Sequence, residues 1–219
     1  MSEPDQPRTV LCYGDSNTHG TVPMRQILER ERFGPDARWP GVMAGALGPG
    51  WHVVEAGLPG RTTSLPDPVM GAHINGLAVL PAVLASAAPV DLVVLMLGTN
   101  DLKRRFQMPA LEIAVCLENL LLAVGQSIAG PGGAAPRRLV VAPAPVTETG
   151  CLAEIFEGAE RQAPKLAGHY AAVAERHGAE FFDAGGVVAV SPVDGVHLDA
   201  GAHAALGRAL ADAARATLD

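Results

Sequence analysis

The chain has 219 residues, 48% hydrophobic and 18% charged, which is enough apolar material for a substantial core and too much for intrinsic disorder. Its formal charge of −7 supplies no basic stripe to displace counterions, so a dedicated nucleic-acid or anionic-membrane surface is excluded. No Ser-rich, Gly-rich or charged linker divides the sequence, and residues 1–219 read as one domain.

The polar start, Met1 to Arg8, lacks the basic-then-apolar design of a signal peptide. Thr9–Tyr13 predicts a first strand that runs into Gly14-Asp15-Ser16-Asn17-Thr18-His19-Gly20. A helix is expected over Trp39–Leu47, then a strand over His52–Glu55 followed by Gly57-Leu58-Pro59-Gly60-Arg61-Thr62-Thr63. After a helix at Asn75–Ala87, the run Leu92–Leu97 is apolar throughout, as in a strand covered on both faces, and leads into Gly98-Thr99-Asn100-Asp101. The stripe Ile113, Leu117, Leu120, Leu121 and Val124 predicts a helix from about Pro109 to Ile128. Strands at Leu139–Ala142 and Ala179–Asp183 flank a helix at Glu154–His177, and a last helix at Ala200–Thr217 has Asp199 as its cap. Just before that cap stands Asp194-Gly195-Val196-His197-Leu198. Cys12, Cys116 and Cys151 are scattered without a C-x-x-C pair, and no apolar run reaches membrane-spanning length, so a reducing cytoplasm is expected and no membrane partner.

Five strands alternating with helices predict an α/β fold, a three-layer sandwich around a five-stranded parallel sheet in flavodoxin-like order. In such a sheet ligands bind beyond the carboxyl ends of the strands, where the four segments above would converge. A serine hydroxyl becomes a nucleophile when a base takes its proton and a third group orients the base. Ser16 and His197 fit the first two roles, and Asp194, three residues before His197, fits the third from the same turn. The tetrahedral intermediate also needs donors aimed at its oxyanion. Candidates are the Ser16 amide, the Gly60 amide and the Asn100 side chain.

With G-D-S, G-x-N-D and D-x-x-H in order, each after a predicted strand or its loop, the chain resembles the SGNH (GDSL-type) hydrolase superfamily. The resemblance implies a nucleophile at Ser16, acid and base at Asp194 and His197, and oxyanion donors at Ser16, Gly60 and Asn100. It implies acyl transfer from a small ester to water or an alcohol, with no cofactor and no metal. The runs G-L-P-G-R-T-T and M-L-G-T-N-D-L-K look closest to a bacterial aryl-esterase and acyltransferase branch, whose members tend to form homo-oligomers. That branch usually carries apolar residues after the serine, whereas this chain has Asn17 and Thr21. Those two, with Phe156, Phe181 and Val196, are the candidate substrate pocket, the last three against a core reading of equal weight.

Asp15 and Asp101 read as turn-holding residues, and Arg61 as half of a structural ion pair ahead of a substrate ligand. His19, His52, His73, His169, His177 and His203 show no ligand spacing. Two rival functions stay open: a carbohydrate or xenobiotic O-deacetylase with the same triad, and a non-catalytic flavodoxin-like binding module. Against the second, Asp15 puts a carboxylate where a phosphate cradle wants donors.

Overall fold

The computed structural model describes residues 7–218, so Met1–Gln6, most of the polar start discussed above, and Asp219 lie outside the described residues. In chain order the elements are β1 (Arg8–Gly14), α1 (Ser16–His19), α2 (Trp39–Leu47), β2 (Trp51–Gly57), α3 (Gly76–Ala87), β3 (Leu92–Met96), α4 (Ala110–Gly125), β4 (Arg137–Ala142), α5 (Leu166–Arg176), β5 (Glu180–Asp183) and α6 (Ala200–Leu218). All five strands are parallel in the order β2-β1-β3-β4-β5, the flavodoxin-like order expected from the sequence.

Alternation along the strands builds two cores. Leu11, Tyr13, Val93, Leu95 and Val140 point to one face, under α3, α4 and α5. Val10, Cys12, Leu92, Val94 and Val141 point to the other, under α2 and α6. Because β1, β3 and β4 are sealed on both sides, each of their Val and Leu side chains contributes about 1.5–3 kcal/mol of burial, and their carboxyl ends are held as a rigid edge. Two helix starts are fixed by side chains: Asn75 Oδ1 accepts from Ala78 N at 3.2 Å, and Asp199 Oδ1 from Ala202 N at 2.8 Å.

One expected element is shorter than its apolar pattern. The helix read over Glu154–His177 begins only at Leu166, and the chain before it runs through short 3₁₀ turns at Gly150–Leu152, Ala159–Arg161 and Ala163–Lys165. Gly158 sits at φ +92°, outside the right-handed helical region, and Pro164 has no amide proton and crowds the carbonyl four residues back. Together they break the helical path that the periodicity suggested.

Candidate active site

The loops after β1, β2 and β3 and the segment between β5 and α6 meet at the carboxyl edge of the sheet. Ser16 opens α1, a single turn directly after β1, and is 5% exposed. The turn is fixed by Asp15, whose carboxylate accepts from Asn17 N at 2.9 Å. It is also pressed hard against β2, since a Cβ on Gly57 would lie 2.2 Å from His19 N.

Asp194 and His197 form one unit. His197 Nδ1 lies 2.6 Å from Asp194 Oδ2, a charge-assisted hydrogen-bond distance. Asp194 Oδ1 accepts from the amides of Val196 (3.0 Å) and His197 (2.9 Å), and Oδ2 also accepts from Met24 N at 2.7 Å. Burial raises the carboxyl pKa, but the His197 ring with its charge and the His197 and Met24 amides outweigh burial and hold it below its ordinary value. The carboxylate therefore stays ionised and favours the imidazole tautomer that carries its proton on Nδ1. The turn that presents the pair needs glycine at 195: φ is +73°, and a Cβ would lie 2.0 Å from Thr147 O.

Asn17 joins this unit to the Ser16 turn. Its Nδ2 donates to Val196 O at 3.0 Å, and its Oδ1 accepts from Leu198 N at 3.0 Å, so one amide brackets His197 from both sides. That placement differs from the substrate-pocket role expected for Asn17, because both ends of the side chain are spent on backbone. Thr21 is buried, with Oγ1 3.2 Å from His19 Nδ1. Phe156 and Val196 are 2% and 3% exposed within the core under α3, α4 and α5, and Phe181 packs against the same core from β5. For these three the core half of the expectation describes their surroundings.

The oxyanion candidates come from the loops after β1, β2 and β3. Gly60 sits at φ +85°, a conformation that favours glycine. Neither its amide nor that of Ser16 donates to a protein acceptor among the described residues. Asn100 Nδ2 donates to Arg61 O at 3.1 Å, and its other proton faces Asp15 Oδ2 at 3.4 Å, a long contact that leaves this donor easily redirected. Asp101 receives Thr63 N at 3.1 Å and ties the second and third loops together. Arg61 corrects its expectation: it makes no carboxylate pair among the described residues. Its guanidinium lies 4.1 Å over the Tyr13 ring and donates to Gly14 O at 2.8 Å and to Ala56 O, capping the carbonyl ends of β1 and β2.

Sequence reasoning missed the clamp by Asn17 and the Met24 amide on Asp194. An amide side chain next to Ser16 is a faint signal for the first; nothing local signals the second, which joins residues 170 positions apart. Among the described residues no group of three or more His, Cys, Asp or Glu is arranged to hold a metal ion, and no helix is long and apolar enough to cross a membrane.

A family model described as GDSL-like lipase/acylhydrolase matches residues 12–205. Among curated proteins, none matches significantly. Among solved structures, the chain is similar to an aryl esterase from M. smegmatis, at 42% identity and a TM-score of 0.92 over 96% of this chain and 100% of the other. It is also similar to a carbohydrate acetylesterase from Sinorhizobium meliloti, at 41% identity and a TM-score of 0.91 over 95% and 99% of the two chains.

Proposed function

The chain belongs to the GDSL-like lipase/acylhydrolase family and is a carboxylic ester hydrolase, and from that premise we propose that Ser16, His197 and Asp194 are its catalytic triad. The observation that carries the proposal is the 2.6 Å Asp194–His197 pair locked by Asn17 to the turn that bears Ser16. Ser16 Oγ attacks the ester carbonyl while His197 Nε2 takes its proton. The imidazolium is stabilised by Asp194 and returns the proton to the departing alcohol. Water, or a second alcohol, then attacks the acyl-enzyme by the reverse path. The Ser16 and Gly60 amides and Asn100 Nδ2 receive the charge that develops on the carbonyl oxygen.

Small acyl or aryl esters are the proposed substrates, supported by the aryl esterase likeness, with a carbohydrate O-acetyl ester as a second reading supported by the acetylesterase likeness. No cofactor enters the mechanism. The three cysteines are free, which fits action in the reducing cytoplasm. Ser16→Ala should abolish hydrolysis of a p-nitrophenyl ester panel and of an acetylated sugar, and should abolish labelling by an organophosphonate. Intact-mass evidence of the phosphonate on another residue would overturn the assignment.

A further inference from the structure

Lys103 is an unusual lysine. It ends the 3₁₀ turn that begins with Asn100, and it is only 6% exposed. A buried ammonium normally has its three protons taken up by close acceptors. Among the described residues the contacts of Lys103 Nζ are Met70 Sδ at 3.5 Å, a weak acceptor, and Asp67 Oδ2 at 3.7 Å, beyond hydrogen-bond length. Asp67 pairs with this lysine by charge but takes its hydrogen bonds from other donors. Its Oδ1 accepts from Val69 N at 2.8 Å, Met70 N at 3.2 Å and Arg105 Nη1 at 2.9 Å. Burial lowers the Lys103 pKa, with Arg105 adding to the fall and the charges of Asp67, Asp15 and Asp101 opposing it.

The ammonium also stands beside the reacting centre. A Cβ built on Gly60 would lie 2.7 Å from Met70 Sδ, so a single sulfur separates Lys103 Nζ from the oxyanion glycine. Met70 itself is 40% exposed and unbranched, able to swing off. Lys103 and Met70 belong to the loops after β3 and β2. His197 comes from the segment before α6, which hydrogen-bonds the connection after β4 where Thr147 N donates to Gly195 O at 2.8 Å; Arg104, next to Lys103, donates to Ile155 O of the same connection at 2.8 Å. The departing alcohol faces the imidazole, so a charged substrate group that meets Lys103 is one carried on the acyl part.

Resting on the esterase reading above, we propose that Lys103 is a specificity-determining residue, whose ammonium binds a carboxylate or other anionic oxygen group carried on the acyl part of the substrate. Met70 marks the place that this group takes. The ester so recognised is a half-ester of a short dicarboxylic acid.

The test compares kcat/KM for monoethyl succinate and ethyl butyrate, matched in acyl length, in the full chain and in Lys103→Met and Lys103→Arg. The succinate-to-butyrate ratio should fall by about tenfold to a hundredfold in Lys103→Met, the worth of a hydrogen bond to a charged group, and Lys103→Arg should keep most of it. A lysine that only props the loop would lower both rates together with the melting temperature, and an unchanged ratio in folded Lys103→Met overturns the proposal. Unaltered protein that takes monoethyl succinate less than about a tenth as well as ethyl butyrate overturns it without any variant. So does a loss seen only when the carboxylate is on the alcohol, as in O-butyryl glycolate. Phosphonate labelling of Ser16 with an unchanged ratio removes the lysine assignment alone, whereas hydrolysis of neither ester and no label removes the esterase reading and this inference with it.

Discussion

Replacing Asn17 with alanine should damage both stability and turnover, and by amounts that can be worked out. The side chain satisfies Val196 O and Leu198 N, each at 3.0 Å, in residues that are 3% and 2% exposed. Neither backbone group has another partner among the described residues. Two orphaned buried groups at about 1–3 kcal/mol each give a loss of about 2–6 kcal/mol, with water entering the vacated space favouring the lower end. The same bonds set where His197 stands relative to Ser16, and a displacement on the order of 1 Å costs up to about a hundredfold in rate. Urea unfolding with active-site-titrated kcat reads both quantities on one variant. Asn17→Asp should fall between, since it accepts from Leu198 N but faces Val196 O with a second acceptor. A variant within about 0.5 kcal/mol of the parent, with kcat unchanged, would refute the clamp.

Asn100→Ala should lower kcat by about 10²–10³ with little change in KM, because the amide acts on charge present mainly in the transition state; full activity per titrated site would show that the Ser16 and Gly60 amides suffice. The Asp101 carboxyl is pushed up to about 6, first by burial, against hydrogen bonds from Thr63 and with the Asp15 charge adding to the rise. Its ordinary value is 3.8, so the folded state holds this proton more tightly than the unfolded chain; that stabilisation is full below about pH 4 and is lost as pH rises through about 6. Asp101→Asn cannot ionise, and its stability relative to the parent should improve from about pH 4 to about pH 7 in urea melts; a constant difference across that window contradicts the buried-carboxyl account.

The sheet was legible because two of its strand runs, Leu92–Leu97 and Leu139–Ala142, are apolar throughout and its turns carry glycine; all five expected strands appear, in the expected order. The helix at Glu154–His177 was overread because periodicity alone cannot see that Gly158 and Pro164 forbid a continuous path. The candidate triad could be named from sequence since Asp194 and His197 lie on one turn and Ser16 follows a strand. What lay beyond reach were interactions of side chains with distant backbone. Asn17 read as a polar pocket wall, and Arg61 as half of an ion pair, because nothing in their neighbourhoods announces Val196 O, Leu198 N or the open carbonyl ends of β1 and β2.

The Asn17 clamp also bears on when in the life of the chain the site exists. Asp194 and His197 are set by a four-residue turn that can form locally. The contacts that bring them to the Ser16 turn span 179 and 181 residues, from the first strand's turn to the segment before the last helix. If His197 is the base of Ser16, a nascent chain still lacking its final segment carries a serine without that base, however complete its sheet. On the proposed mechanism, ester hydrolysis waits for the final segment and is lost whenever that segment detaches from the Ser16 turn.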